Sequence, residues 1–223
     1  MSEDSFIREV EEELRSDRLK SVWDRFGAFV VGGAIVIVVA TAAWTGWQYY
    51  TESRASASGD RFLAALNLAN EGKNDEALAA LKALEADGYG AYPVLAQMRA
   101  ATVLQEKGDT AGAVAAFDAV AADDGAPAAI RDLARIRAAY ILVDTGTPDD
   151  VAQRAEPLSS DNNPLRHSAR EVLGLAAWKD GNFADARTLF QQIADDPSAP
   201  RNAQQRAAIM LDLITASGEV KAG

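Results

Sequence analysis

Leu173-Gly174-Leu175-Ala176-Ala177-Trp178-Lys179-Asp180-Gly181-Asn182-Phe183-Ala184-Asp185-Ala186-Arg187-Thr188-Leu189-Phe190 reads as a helix, a glycine turn and a second helix. The pattern returns along the chain. Gly72, Gly108, Gly146 and Gly181 are spaced by 36, 38 and 35 residues, and a near-constant period of this size marks a helical-repeat array. Offsets of five, nine and twelve from the glycine carry Ala77, Leu81 and Leu84, then Ala113, Phe117 and Val120, and in the last unit Ala186, Phe190 and Ile193. The unit after Gly146 is worn, with Val151, Ala155 and Leu158 in those places. Glycine lets the chain turn between antiparallel helices, the small residue lets them approach, and the larger residues fill the layer against the next pair.

Pro93, Pro127, Pro164 and Pro200 form a second ruler, at intervals of 34, 37 and 36 residues. Each falls where a helix begins, a position at which proline's missing donor leaves nothing unpaired. No stretch between them shows the sustained β-branched alternation of a strand, so the expected fold is all-α. The units resemble tetratricopeptide repeats, with Leu173-Gly174, Ala177, Ala186 and Phe190 at the consensus places of the best one. Two features depart from that pattern: the early Trp or Tyr positions are empty, and Ala65, Ala101 and Ala139 replace Gly174 in the other units. About four repeats form an antiparallel helix-pair solenoid, and Ala203, Ala207, Met210, Leu211 and Ile214 mark a C-terminal helix capping its open end.

Upstream, Phe26 to Thr51 is a run of 26 residues without a formal charge. An apolar helix needs roughly 20 residues to cross a hydrocarbon core about 30 Å thick, so this run is a transmembrane candidate placed in the lipid bilayer. It divides the chain into a head of residues 1–25, the span 26–51, a polar connector 52–58 and a repeat domain 59–223. Phe6, Val10 and Leu14 give the head an amphipathic helix, with the acidic cluster Glu9, Glu11, Glu12 and Glu13 in its first turns. That helix is either a solvated surface element or a docking site for a cytoplasmic partner. Arg15, Arg18, Lys20 and Arg25 precede the span, whereas only Arg54 and Arg61 closely follow it, which orients the head to the cytoplasm. Trp23 on one side and Trp44, Trp47, Tyr49 and Tyr50 on the other occupy the places of aromatic belts. A cleaved signal ending at Ala55-Ser56-Ala57 is the competing reading, disfavoured by the length of the apolar run and by the four aromatics before the site. Ala28, Gly32 and Gly33 form a small face on the span, open either to lipid or to docking on another membrane protein.

The head carries a net charge of −3 and the repeat region −8 within a total of −11. That surface repels phosphate backbones, so nucleic acid is not an expected partner. Cysteine is absent, which removes thiolate chemistry and disulfide frameworks. The single histidine, His167, has no second His or Cys to complete a metal set and is expected at the surface. Asp123-Asp124, Asp149-Asp150 and Asp195-Asp196 read as turn formers. No catalytic, cofactor or metal constellation emerges, and the chain is not expected to be an enzyme.

Helical solenoids bind along the wall lined by the first helix of each pair. Registering the units on their glycines places Phe62 and Leu66, then Met98, Thr102 and Gln105, then Ile136, Tyr140 and Val143, and last Leu175, Trp178 and Lys179 on that wall. The lining is apolar, which fits apolar client segments; the alternative is that the third and fourth sets are core beneath the capping helix. A clamp for C-terminal carboxylates needs paired Lys or Arg with Asn, and only Asn70 and Lys179 lie near the required places.

The order of parts carries a wider resemblance. A head ending in Arg18-Leu19-Lys20-Ser21-Val22-Trp23, the exit Trp44-Thr45-Gly46-Trp47-Gln48-Tyr49-Tyr50, and Gly59-Asp60-Arg61-Phe62 opening the repeats resemble the YfgM-like family of ancillary subunits of the bacterial Sec translocon. The resemblance implies a single-pass inner-membrane protein with periplasmic repeats. It implies association with the SecYEG channel and a membrane-anchored periplasmic chaperone of the prolyl-isomerase type, assisting secreted or envelope client proteins. The alternative is an envelope scaffold organising a cell-wall or outer-membrane assembly complex.

Overall fold

The computed structural model describes the backbone of residues 3–218 and the side chains of Lys20 and of residues 23–218. The side-chain expectations for Phe6, Glu9, Val10, Glu11, Glu12, Glu13, Leu14, Arg15 and Arg18 lie outside the described residues. Among the described residues nine α-helices follow in order: α1 Glu3–Asn70, α2 Asn74–Asp87, α3 Tyr92–Glu106, α4 Thr110–Ala122, α5 Ala128–Thr145, α6 Pro148–Ala155, α7 Arg166–Lys179, α8 Phe183–Ala194 and α9 Arg201–Ala216. A 3-10 turn, Glu156–Leu158, follows α6. The helices form the tetratricopeptide-like solenoid that the glycine and proline spacings predict. Pro93 lies in the first turn of α3, Pro127 and Pro200 immediately precede α5 and α9, and Pro164 stands two residues before α7.

Three of the unit corners share one hydrogen-bonded geometry. Gly72, Gly108 and Gly181 have φ of 76, 84 and 80°, a region glycine enters without a Cβ penalty. Each glycine N–H donates three residues back, to Ala69 (3.0 Å), Gln105 (2.9 Å) and Trp178 (3.1 Å). The following N–H donates five back: Lys73 to Leu68, Asp109 to Leu104 and Asn182 to Ala177, each at 2.9 Å. These crossed bonds satisfy carbonyls that a helix end leaves free. Asp109 and Asn182 then cap the second helix, accepting from the N–H groups of Gly112 (2.9 Å) and Asp185 (3.3 Å).

The worn unit departs here. Gly146 is extended, at φ −111° and ψ −167°, and the chain enters α6 through a capping box of Thr147 and Asp150. Two of the three Asp pairs are turn formers as read, the Asp123 carboxylate accepting from Gly125 N–H and that of Asp196 from Ser198 N–H, both at 2.8 Å, whereas Asp149 and Asp150 lie in the first turn of α6.

Four core clusters follow the repeat. The first joins Ala65 and Ala69 of α1 to Ala77, Leu81, Leu84, Ala96 and Val103. The second centres on Phe117 and Val120, the third on Val151, Leu158 and Val172, and the fourth on Phe190, Ile193 and Ile214. Every offset-five, -nine and -twelve residue read from the glycines lies in one of them. Polar ties repeat at the same distance along the chain. Lys107 pairs with Asp75, Arg154 with Asp118 (2.6 Å), and Arg206 with Glu171 (2.6 Å), linking positions 32, 36 and 35 residues apart.

The Gly59-Asp60-Arg61-Phe62 stretch also acquires a physical reason. A Cβ at Gly59 would lie 2.7 Å from the Tyr92 hydroxyl. Arg61 pairs with Asp87 at 2.7 Å, the Phe62 and Tyr92 rings meet at 6.0 Å, and the buried Ser58 hydroxyl accepts from Tyr89 N–H at 3.0 Å. The glycine is therefore a point of close approach between α1 and α3.

Residues Met1–Ser56 and Ala57–Gly223 are separate compact units. Among the described residues one helical segment, Trp23–Asn70 of α1, is long and apolar enough to cross a membrane. Its large apolar side chains from Phe29 to Val39 are exposed, and two of its hydroxyls are satisfied internally: Thr41 donates to the Ile37 carbonyl at 2.7 Å and Thr51 to that of Gln48 at 2.9 Å. At the two ends Arg25 lies 5.9 Å from the Phe26 ring and Arg54 5.9 Å from the Tyr50 ring, amphipathic pairings suited to an interface. Gly27 is covered by the Trp23 indole, whereas a Cβ at Gly32 or Gly33 would meet nothing within 4 Å. Residues 52–58, expected as a polar connector, are helical throughout; their Ala and Ser residues lack the proline or clustered glycine that ends a helix.

Candidate partner-binding groove

Helix α5 packs on α7 and α7 on α9, while among the described residues no comparable packing joins α4 to α6 or α6 to α8. From α5 onward the first helices touch and the second helices splay, so this part of the stack curves toward the first helices, which line its inner wall; among the described residues no comparable packing joins α3 to α5.

Counting back from the turn glycines sorts the wall into rows. Ten positions before them stand Phe62, Met98 and Ile136. Phe62 and Met98 are half-buried against the first and second cores, and Ile136 is 3% exposed within the third. Ile136 thus offers a partner no surface. The direct seating of α5 on α7 covers it, and it belongs to the core beneath the later helices.

Leu66, Thr102, Tyr140 and Leu175 lie six positions before the glycines, all half-buried. The Thr102 hydroxyl donates to the Met98 carbonyl at 3.1 Å. Leu175 leans on the fourth core, under α9, as Tyr140 and Val143 do on the third. Gln105 and Trp178, three positions before, are exposed, Trp178 at 39%. Open surface on the wall is thus concentrated on Leu66, Thr102, Gln105 and Trp178, none of which belongs to a core cluster.

Lys179 is exposed, yet its ammonium is engaged. Its Nζ donates to the carbonyls of Val143 and Asp144, both at 2.9 Å. The cause lies in the worn corner: extended Gly146 cannot make the crossed bonds of the other units, so the last carbonyls of α5 need another donor, and a cation at a helix C-terminus supplies one. Lys179→Met should lower the free energy of unfolding by about 1 kcal/mol, the worth of charged hydrogen bonds discounted for exposure. Amide exchange should quicken in the last turn of α5; unchanged exchange there would refute the clamp.

A polar network that sequence reading missed crosses three helices. Glu171, 7% exposed, accepts from Arg206 at 2.6 and 2.7 Å and from the Tyr140 hydroxyl. Burial, then the neighbouring Glu171 carboxylate, holds that hydroxyl protonated well above the usual tyrosine range. Glu171 stands ten positions before Gly181, in the row of Phe62, Met98 and Ile136; its break with an apolar row was the available signal.

His167 is a correction. It is 7% exposed rather than on the surface, because the turn after α8 folds over the start of α7 and brings Asp196 against it. The facing group is a carboxylate, so Nε2–H donates to Asp196 Oδ2, at 2.7 Å. Ser198, His167 and Arg166 together hold the Asp196 carboxyl well below its ordinary value of 3.8. A carboxyl depressed by folding contributes stability above its unfolded value and loses it as pH falls through the folded one. Melting temperature should therefore drop on acidification below the ordinary carboxylate range, and Asp196→Asn should flatten part of that slope. An identical acid profile in the variant would contradict the role.

Among the described residues no group of three or more His, Cys, Asp or Glu side chains is placed to hold a metal ion. The family profile described as Tetratricopeptide repeat-like domain matches residues 20–215. No curated protein and no solved structure matches the chain.

Proposed function

Because the chain belongs to the tetratricopeptide repeat-like domain family, we propose that it is a membrane-anchored, non-enzymatic protein-binding module. In this reading it is an ancillary subunit of the Sec translocon that meets secreted or envelope proteins on the periplasmic side. The observation that carries the reading is one helix able to span a membrane followed by a repeat domain whose first-helix wall leaves Leu66, Thr102, Gln105 and Trp178 open. The basic residues before the span keep residues 1–25 cytoplasmic, residues 26–51 cross the inner membrane, and the repeats from residue 59 stand in the periplasm. Tethering raises the effective concentration of the wall near the translocon exit to about millimolar, so modest affinity suffices without a catalytic step. Ala28, Gly32 and Gly33 provide the lateral docking face.

Purification of the full chain in mild detergent tests the assignment. Co-isolation of SecYEG and a membrane-anchored prolyl-isomerase-type chaperone is the expected result. A stoichiometric cell-wall or outer-membrane assembly complex without translocon would instead make the protein an envelope scaffold. Replacing residues 26–51 by a leucine-rich helix should preserve insertion but weaken the association. Trp178→Asp, on an exposed position that tolerates charge, should reduce client crosslinking severalfold; undiminished crosslinking would remove the wall from the mechanism.

A further inference from the structure

The side of the stack on which the second helices splay carries its own recognition surface. Between α6 and α8, floored by α7, lies an open cleft of about 680 Å³. Leu173, Ala176 and Leu189 line it with apolar surface, and exposed Asp149, Glu156 and Asp180 border it.

The cleft follows from the worn unit. Helix α6 stops after 8 residues and passes through Pro157 into the 3-10 turn. Ala155 stands where Leu81, Phe117 and Phe190 fill the other units. Ala155 packs into the core with α5 and α7, and α8 packs on α7 and α9, so among the described residues no comparable packing joins α6 to α8.

Charge then distinguishes this cleft from the first-helix wall. Nearby Asp118 pairs with Arg154, Asp144 with Lys179, and Asp150 closes the capping box. By contrast, Asp149, Glu156 and Asp180 enter no ion pair among the described residues. Asp185, exposed and hydrogen-bonded only to Asn182, lines the cleft as well and enters no ion pair among the described residues. Four unneutralised carboxylates around apolar surface attract cations and reject anions, while the floor rewards burial of aliphatic side chains.

We infer that the α6–α8 cleft binds a polypeptide segment in which apolar side chains alternate with lysine or arginine. The leucine-sized side chains lie on Leu173 and Leu189, and the cations meet Asp149, Glu156 and Asp180. This surface is separate from the first-helix wall and does not depend on the translocon assignment.

The test uses the full chain in phosphatidylcholine nanodiscs and a fluorescent peptide of alternating leucine and lysine, read by anisotropy. Binding should weaken with added salt, and the same peptide with glutamate for lysine should not bind. The triple variant D149N/E156Q/D180N should bind about tenfold more weakly, the combined effect of three exposed charge pairs. Its three side chains are exposed, so its circular dichroism should match the parent and its loss of affinity would report the site. Ala152→Trp, which fills the cleft without altering charge, should also abolish binding, whereas Trp178→Asp should leave it intact. Equal binding of the lysine and glutamate peptides, or unaltered affinity in the triple variant, overturns the proposal.

Discussion

Replacing Phe190 by alanine lowers the free energy of unfolding by about 3–5 kcal/mol, the range for truncating a fully buried aromatic. Phe190 is 0% exposed and belongs to the core shared by α8 and α9. Its ring also lies against Gly174 of α7, where an added Cβ would come within 2.9 Å of Cζ. The site collapses poorly after truncation, because the opposing helix presents no side chain at that point. Glycine inside α7 itself costs roughly 1 kcal/mol relative to alanine, and the ring's close approach is what offsets that cost. Gly174→Ala in the parent should therefore destabilise by overpacking, while in the Phe190→Ala background it should recover about 1 kcal/mol by regaining helix propensity and occupying part of the void. Urea denaturation followed by far-ultraviolet circular dichroism reads all three variants. A loss below 1 kcal/mol for Phe190→Ala, or additive effects in the double variant, would refute the packing argument.

With residues 26–51 as the proposed span, Val36→Arg should remove the protein from the membrane. The nine Phe, Val and Ile residues between Phe26 and Val39 favour insertion by roughly 3–5 kcal/mol in sum, and an arginine near the helix centre costs about 2.5–3.5 kcal/mol. Val36 is 66% exposed on a helix that, among the described residues, has no neighbouring helix in its own unit to shelter a charge. The alkaline-resistant membrane fraction should fall severalfold, and Val36→Leu should leave it unchanged. Full retention of the arginine variant would mean that residues 26–51 are held by something other than their apolarity.

The repeat was legible because its determinants are local and periodic. A turn glycine, a small residue five positions on and a core residue nine on can be read from the chain alone, and Gly72, Gly108 and Gly181 all adopt the positive φ that the spacing requires. Gly146 shows the limit: spacing marks a corner without specifying its hydrogen bonds, and that corner uses Thr147, Asp150 and a distant Lys179 instead. The wall was legible as a register but not as a surface. Ile136 and Trp178 both satisfy the register, and only the seating of α5 on α7 buries the first and leaves the second open. His167 and Glu171 were hidden for the same reason, since their partners Asp196 and Arg206 lie 29 and 35 residues away. A polar side chain on a helix reads as solvated until its partner is located.

The polar ties between units have a consequence for how the domain is made. Lys107–Asp75, Arg154–Asp118, Lys179–Val143 and Arg206–Glu171 each close over 32 to 36 residues, so each requires only the adjoining unit. Short-range closure carries a small loop entropy and favours rapid formation. A chain emerging from its N-terminal end can therefore complete each unit against the one before it, growing by addition, with α9 closing the last core.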